Sequence, residues 1–214
     1  IILSDSSDEN IQLIVNAINN KLNNYNYTIE IEMPSYLKQG DTKKVKELIN
    51  EMEEGKIGAL ITYNVNPSYT LPNATRFNKA LDKVNLKVST SSYLDETSSL
   101  MDYVFPDNHN LESWGDANPE HTKYSLMQPT ISPLFSTRQF QDSLISLMDS
   151  PISYQNYLKM FWQNKGLNWN KILHDGYFNM PMQKLSVKEF VFKGTLVKQK
   201  PLNNSIELAI YESI

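Results

Sequence analysis

Several residue types that mark common functions are scarce or missing in this chain of 214 residues. It contains no cysteine, so it supplies no disulfide, no thiolate metal ligand and no cysteine nucleophile, and the redox compartment stays undetermined. Only seven glycines occur. No apolar run approaches the ~20 residues that cross a bilayer, and no basic segment followed by an apolar stretch opens the chain. We therefore expect neither a membrane span nor a signal peptide within it.

The charge is mildly acidic, with a formal net charge of −4 and scattered lysines. A nucleic-acid surface needs clustered positive charge, so we expect no nucleic-acid partner. A chain of this length with 40% hydrophobic residues can bury one substantial core and a small second layer. Because the sequence starts at Ile1 without methionine and stops at Ile214 in a strand-like run, we expect a piece of a longer protein.

Strand-like and helical patterns alternate through the first half of the chain, at roughly the 30-residue length of a βαβ unit. The pattern predicts an α/β fold: a Rossmann-like, doubly wound, mainly parallel sheet with right-handed crossovers. Residues 57–63 are nearly all apolar and predict a central strand, whereas residues 28–32 alternate and predict a peripheral one. The predicted strands begin near Ile1, Thr28, Ile57, Leu86 and Asp102.

Three helices are predicted between these strands. Ser6 and Glu9 have the spacing of a capping box before the first. The second begins after Asp41 as N-cap and ends at Gly55, and the third begins at Asn73. The predicted inward stripes are Ile11, Ile14, Val15, Ile18 and Leu22 in the first helix, Val45, Leu48, Ile49 and Met52 in the second, and Phe77, Ala80 and Leu81 in the third.

The second half of the chain changes character. Residues 107–134 lose periodicity and predict an irregular loop much longer than an ordinary connection of ~4 to 6 residues. Ser136 and Gln139 predict a capping box before a helix that closes a first domain, residues 1–148. Residues 149–214 predict a small, incomplete C-terminal α+β appendage. It comprises an aromatic helix over residues 154–162 that ends near Gly166, a short helix at 169–173, and β-rich runs at 187–197 and 206–211.

The residues give little support for catalysis or for independent cofactor binding. The first βα turn, residues 4–9, carries three carboxylates and no glycine, which disfavours a dinucleotide phosphate. No Gly-x-Ser-x-Gly elbow exists, and we expect no catalytic residue. A group of imidazoles and carboxylates could in principle hold a metal, but its spacing matches no metal motif and fits solvated turns better, so we expect no metal. Its members are Asp107, His109, Glu112, Asp116 and His121.

Two stretches keep alternative interpretations open. Asp95, Glu96 and Thr97 suit the start of a helix, where carboxylates meet the positive end of the dipole, and they equally suit a ligand-facing turn at a strand end. The aromatic helix over residues 154–162 is typical of a core or a partner-facing surface rather than of a cofactor site.

Four segments between Gly55 and Leu147 carry a family resemblance: GKIGALITYNVNP, LKVSTSSYLDETSSLMDYVFP, LESWGDANP and YSLMQPTISPLFSTRQFQDSL. They resemble the molybdopterin oxidoreductase superfamily. More narrowly, they resemble the large iron–sulfur, molybdopterin-like subunit of alternative complex III, a quinol:electron-acceptor oxidoreductase. The Asn66-Pro67 turn, the 95–97 run and the Leu111-Glu112 pair suggest the superfamily, and residues 114–116 suggest the narrower group.

The resemblance implies a Rossmann-like domain in a large subunit on the periplasmic face of the bacterial inner membrane. In cofactor-bearing relatives the corresponding turns lie near the pterin, which makes Asn66, Glu96, Thr97 and Glu112 the pterin-proximal candidates. Asn64 stands where the family usually has glycine, and the family's arginine-bearing element is replaced. Both changes weaken anion binding, so we expect no molybdopterin here. Iron–sulfur clusters would belong to cysteine-rich regions elsewhere in the parent subunit.

We therefore predict a cofactor-free structural and assembly segment of a membrane-associated respiratory quinol oxidoreductase. Its expected partners are the remainder of its own subunit and the other subunits of the complex, without direct membrane insertion. Trp114, Asp116 and His109 are the predicted partner surface. The alternative is part of a molybdopterin-binding oxidoreductase whose remaining cofactor domains lie outside this chain, and a free-standing nucleotide-binding module is a third possibility.

Overall fold

The computed structural model describes residues 1–6, 8–25, 27–37 and 39–181, which separate into two compact units at residues 1–34 and 35–181. The β-rich runs predicted at 187–197 and 206–211 lie outside the described residues. The domain boundary predicted after residue 148 stays a prediction. None of the described helices combines the length and the apolar character that a membrane span requires.

The first unit contains helix α1, Glu9–Lys21. The helix was predicted here, but the predicted capping box is not used. Asp8 is the N-cap, and its Oδ1 accepts a hydrogen bond of 2.8 Å from the Asn10 N–H. Ser6 lies two residues before the N-cap, where its hydroxyl accepts from the Asp8 N–H instead. A carboxylate at the cap position suits the exposed N–H groups of the first turn, which explains why Asp8 is the N-cap.

The strands predicted at the start of the chain and near Thr28 are wrong, because residues 1–5 and 28–32 form no strand. Asn19 side-chain atoms pair with the N–H and the carbonyl of Ile2 at 2.9 and 2.8 Å, in place of a neighbouring strand. The N–H groups of residues 27–29 all donate to the Asn24 carbonyl. These side-chain and turn hydrogen bonds compete successfully with sheet pairing.

The second unit contains a three-stranded parallel sheet in the order β1-β2-β3. The strands predicted near residues 57, 86 and 102 are thereby confirmed. The strands are β1 (Ala59–Thr62), β2 (Leu86–Ser89) and β3 (Tyr103–Val104), and the helices between them and before them are α2 (Thr42–Glu53), α3 (Pro67–Thr70) and α4 (Ala74–Leu81). The doubly wound, Rossmann-like description stays a prediction.

Local signals explain α2 and α4, which begin and end as predicted. Asp41 Oδ1 accepts from the Lys44 N–H at 3.0 Å, and Asn73 Oδ1 accepts from the Arg76 N–H at 3.1 Å. Gly55 follows α2 with φ of +71°, a conformation that glycine adopts without strain. A first core cluster buries the inward faces of both helices: Ile49, Met52, Phe77, Ala80, Leu81 and Val84.

Residues 107–134 are not an irregular loop, which corrects that prediction. They include β4 (Gly115–Glu120) and β5 (Lys123–Met127), which form an antiparallel hairpin, and β6 (Tyr177–Asn179) extends it to three strands. Pro119 within β4 and a turn without glycine conceal the hairpin in the sequence. Asn118 closes the turn, since its Nδ2 donates to two carbonyl oxygens at 2.6 Å.

Three helices complete this unit: α5 (Phe140–Leu147), α6 (Tyr154–Asn164) and α7 (Trp169–Asp175). α5 begins where predicted, but without a Ser136–Gln139 capping box. Gln139 is buried and exchanges two hydrogen bonds with the Trp114 backbone. A second core cluster lies among α6, α7 and the antiparallel sheet, with Leu158, Trp162, Trp169, Ile172 and Phe178 as its buried members.

Candidate functional site

A polar cleft of about 370 Å³ lies where the three parallel strands end. Its lining comes from the segments that follow β1, β2 and β3, including Tyr63, Asn64, Thr90, Ser91, Asp107 and His109. The carboxyl edge of a parallel sheet is where α/β proteins build their ligand sites. This cleft is therefore the candidate site in the described part of the chain.

Three of the four pterin-proximal candidates meet in one hydrogen-bond network. Asn66 Nδ2 donates to Glu96 Oε2 at 2.7 Å, and the Thr97 hydroxyl donates to Asn66 Oδ1 at 2.6 Å. Thr97 is fully buried, and its hydroxyl also accepts from the Ser68 N–H at 2.9 Å. The amide of Asn66 lowers the pKa of Glu96 by donating to its charged form. The network joins the segments that follow β1 and β2.

Asp95 faces the cleft and supports the turn behind it. Its carboxylate accepts from the Ser98 N–H at 2.7 Å and from the Ser91 hydroxyl at 2.9 Å. Burial acts to raise the pKa of Asp95, but the hydrogen bonds from Ser98, Ser91 and Thr97 outweigh it and lower the pKa. Asp95 therefore precedes the 3-10 turn at Ser98–Leu100, and its carboxylate accepts from the N–H of the first residue of that turn.

Asp107 joins the end of β3 to the start of α5. Its Oδ1 accepts from the Asn108 N–H at 2.9 Å and from the Phe140 N–H at 2.8 Å. Burial is the largest influence and raises the pKa of Asp107, although these bonds and one from the Tyr63 hydroxyl oppose it. The Tyr63 and Phe140 rings stack with centroids 4.5 Å apart. The contact holds α5 against one wall of the cleft.

Glu112, the fourth candidate, is outside the Asn66 network. Its Oε2 accepts from the His109 N–H at 2.9 Å and its Oε1 accepts from the Leu134 N–H at 3.0 Å. Hydrogen bonds from Leu134 and His109 lower the pKa of Glu112. The carboxylate closes a loop around a short 3-10 turn, with the His109 imidazole capping the Leu111 N–H.

The three residues predicted as a partner surface do not gather on one patch. His109 is exposed and lines the cleft. Trp114 is half-buried, and its ring lies 6.2 Å from that of Trp169 in the second core cluster. Asp116 is exposed as a residue, but its Oδ2 accepts from the Trp162 indole N–H at 3.0 Å. Partial burial of that carboxyl against the rings raises its pKa.

The cleft lacks the features that bind phosphate. Its described lining includes two carboxylates and one imidazole, but neither lysine nor arginine. Asn64 has φ of +53°, in the left-handed region that glycine adopts more freely than asparagine, and it lines the cleft. Backbone access and positive charge are therefore both reduced, and a pyrophosphate group fits poorly. The described residues contain no group of three or more side chains placed to hold a metal ion.

The cleft residues that sequence reasoning missed are Tyr63, Thr90 and Ser91. Tyr63 is the last residue of the strand predicted at 57–63, and Thr90 and Ser91 come directly after β2, at the edge of the sheet where sites form. That position was the available signal. Their residue types are common in ordinary turns, so the sequence alone did not distinguish them.

The fold and the cleft define an α/β segment with a polar, acidic site at the ends of parallel strands. Solved structures include a similar fold in acetylene hydratase from Pelobacter acetylenicus. That match has a TM-score of 0.56 at 17% sequence identity and covers 64% of this chain and 21% of that one. No protein-family model matches the chain.

Two curated proteins are similar in sequence. The chain is 34% identical over 124 residues to the menaquinone reductase, molybdopterin-binding-like subunit of Nitratidesulfovibrio vulgaris (strain Hildenborough). It is 34% identical over 83 residues to one of the subunits of the tetrathionate reductase of Salmonella typhimurium. These matches cover 53% and 36% of this chain, which spans 18% and 8% of the two relatives. The sequence similarity is thus to subunits of two reductases, one of which is described as molybdopterin-binding-like.

Proposed function

We propose that this chain is a structural and assembly segment of a quinol-linked respiratory oxidoreductase, of the alternative complex III type, and that its cleft holds no pterin dinucleotide. The observation that carries the proposal is the charge of the cleft. Asp95 and Asp107 line it, and neither lysine nor arginine is among its described lining residues. Electrostatic repulsion and the shortage of donors both oppose a phosphate-rich group at this edge.

The hydrogen bonding of the cleft supports the same proposal. Asp95, Glu96 and Asp107 each accept a hydrogen bond from a backbone N–H or a side chain near the strand ends. Carboxylates used in this way fix the loop conformations at the strand ends. The cleft thereby gives a firm, polar surface for contact with other protein segments. The name of the Nitratidesulfovibrio relative, a menaquinone reductase subunit, agrees with a quinol-linked complex.

The parent subunit in this proposal lies on the periplasmic face of the inner membrane and carries its iron–sulfur clusters in other regions. This chain has no cysteine with which to hold them. Its partners are then the rest of that subunit and the neighbouring subunits.

A second function is favoured by one specific observation. Asn66, Glu96 and Thr97 lie together at the strand ends, where the resemblance places residues near a pterin. The first relative is described as molybdopterin-binding-like. In that case the chain forms one wall of a cofactor site whose phosphate-binding groups lie in other domains.

Metal and pterin analysis of the parent subunit, purified at full length, separates the two functions. The assembly proposal expects molybdenum and tungsten far below one atom per subunit and no pterin released on oxidation. Stoichiometric metal with released pterin would replace it with the second function.

A test of docking uses the exposed rim of the cleft. Tyr93 and Leu94 are 83% and 78% exposed, so their replacement by serine leaves the fold intact. We expect the double variant to lose co-purification of partner subunits while its melting temperature stays unchanged. Tyr27→Ser, at a residue 86% exposed in the other unit, is the matched control and keeps the partners. Unchanged co-purification of the rim variant would remove the cleft from the docking surface.

A further inference from the structure

The antiparallel half of the second unit contains a continuous group of aromatic rings. Its hub is Trp162 on α6, which is 3% exposed. The ring centroid of Trp162 lies 4.7 Å from Phe178, 4.9 Å from Phe161 and 5.0 Å from Tyr124. These separations bring neighbouring π systems into contact. All three tryptophans of the chain belong to this cluster or pack against it.

The indole N–H of Trp162 is also hydrogen-bonded to a carboxylate that can act as a base. Its N–H donates to Asp116 Oδ2 at 3.0 Å, and Asp116 is on β4 with part of its surface in solvent. In the described part of the chain, Trp162 is the indole that donates to a carboxylate. A buried ring, an adjacent proton acceptor and an exit for the proton are thus combined at one residue.

The ring group reaches the surface on α6. Phe161 is 40% exposed and lies beside Trp162, and the Tyr157 ring lies 6.5 Å further on and is 48% exposed. An oxidant outside the protein can therefore approach within two rings of Trp162 without entering the core. Tyr124, on the inner side, is half-buried in β5.

We propose that Trp162 is a one-electron redox site that uses Asp116 as its proton acceptor and Tyr124 as the next ring in a short relay. The class of co-reactant is a strongly oxidising, outer-sphere one-electron acceptor, such as a ruthenium(III) polypyridine complex. Trp162 gives one electron to this oxidant, and the bond between its indole nitrogen and hydrogen breaks. The proton passes to the Asp116 carboxylate, which leaves a neutral indolyl radical and a protonated acid. In the relay step, Tyr124 gives one electron to the indolyl radical, which takes its proton back from Asp116, and the phenolic proton of the half-buried Tyr124 leaves to solvent.

Other features of the chain support this assignment. Tryptophan and tyrosine are the most readily oxidised side chains after cysteine, and no cysteine is present to intercept the oxidising equivalent. Burial raises the pKa of Asp116, which makes it a better base for the indole proton. Burial, with the negative charge of Asp116 nearby, also raises the pKa of Tyr154 to about 12, so that phenol keeps its proton.

Flash photolysis of the 214-residue chain tests the proposal, with photo-oxidised ruthenium tris-bipyridine as the oxidant. Transient absorption is expected to show a long-lived neutral indolyl radical in the native chain. Trp162→Phe should lose that signal, whereas the matched control Trp169→Phe, in the same cluster, should keep it. Asp116→Asn keeps an oxygen acceptor but not the base, and should yield the indole radical cation instead. Tyr124→Phe should lengthen the lifetime of the radical.

Two results would overturn the proposal. An undiminished indolyl signal in Trp162→Phe places the radical elsewhere, and an unchanged neutral radical in Asp116→Asn removes the proton acceptor. Circular dichroism checks that each variant is folded. If Trp162→Phe fails that check, Asp116→Asn and Tyr124→Phe still decide the matter. The measurement uses the chain without partners or pterin, so its outcome is separate from that of the assembly proposal.

Discussion

At the scale of single residues, Asp107 shows how one carboxylate can hold two segments that are distant in the sequence. Its Oδ1 accepts the N–H groups of Asn108 and of Phe140, the first residue of α5. The carboxylate thus serves as the cap that Gln139, the residue before the helix, does not provide. Negative charge is not required for this, because an asparagine carbonyl accepts the same bonds.

We therefore expect Asp107→Ala to lower the free energy of unfolding by about 1–2 kcal/mol, the usual cost of losing a helix cap. The matched variant Asp107→Asn should change it by less than about 0.5 kcal/mol, since Asn and Asp are similar caps. Urea denaturation followed by circular dichroism at neutral pH measures both. Equal losses in the two variants would mean that the charge, and not the acceptor, stabilises the fold.

The raised pKa of Asp107 also predicts how the stability difference between the native chain and Asp107→Asn depends on pH. A carboxyl whose pKa is raised by folding binds its proton more tightly in the folded state. Its stabilising contribution is complete below its unfolded pKa of 3.8 and is lost as pH rises through the folded pKa. The native chain should therefore gain stability relative to Asp107→Asn as the pH falls through that window. If the difference in unfolding free energy between the two chains does not change with pH, the pKa of Asp107 is not raised by folding.

At the scale of elements, the β4–β5 hairpin turns through a residue that is poorly suited to it. Thr122 has φ of +78°, in the left-handed region where a β-branched side chain is strained. The carbonyl of Thr122 accepts from the Met180 N–H at 2.8 Å, next to the end of β6. The turn thus helps to join all three strands of the antiparallel sheet despite its strain.

Thr122→Gly is expected to raise the free energy of unfolding by roughly 1 kcal/mol, because glycine adopts this conformation without the steric cost. Ser125→Gly in β5 is the control, since Ser125 has no positive φ and glycine weakens a strand. Thermal unfolding by calorimetry compares them. A destabilising Thr122→Gly would show that the threonine side chain makes a contact worth more than the backbone strain.

The elements differ in how far the sequence could predict them. α2 and α4 were predictable because Asp41, Asn73 and Gly55 are strong local signals. The hairpin was not, since Thr122 and Pro119 are atypical of hairpins. The two strands wrongly predicted in the first unit fail for a different reason. There, the side chain of Asn19 and the carbonyl of Asn24 take the hydrogen bonds that a sheet would need.

The candidate site was predictable only in part. Strand ends and family resemblance together pointed to Asn66, Glu96 and Thr97, and these residues do interact. The contact between Tyr63 and Asp107 joins positions far apart in the sequence, and no local pattern encodes it. The family resemblance also pointed to Glu112, but Glu112 does not join the Asn66 network. Its carboxylate oxygens accept from the N–H groups of His109 and Leu134 instead.

At the scale of the whole molecule, the second unit has two cores with no residue in common. One is built by α2, α4 and the parallel strands, and the other by α6, α7 and the antiparallel strands. Ile49 and Ile172 are buried in the first and second core respectively, at 8% and 5% exposure. Residues that share no neighbours usually make additive contributions to stability.

Ile49→Val and Ile172→Val should each lower the free energy of unfolding by about 0.5–1.5 kcal/mol, the cost of one buried methylene group. The double variant should equal the sum of the two within about 0.5 kcal/mol. Chemical denaturation of the native chain and the three variants completes the cycle. A coupling energy between the two substitutions well above about 0.5 kcal/mol would show that a change in one core alters the packing of the other.

The placement of the tryptophans has a practical consequence. Trp114, Trp162 and Trp169 all belong to the antiparallel half, and the parallel sheet with its helices has none. Indole fluorescence excited at the red edge therefore reports on the second core cluster and gives no signal from the cleft. A single tryptophan introduced beside the ends of the parallel strands, in a chain whose three native tryptophans are replaced by phenylalanine, would give the parallel sheet a fluorescent probe.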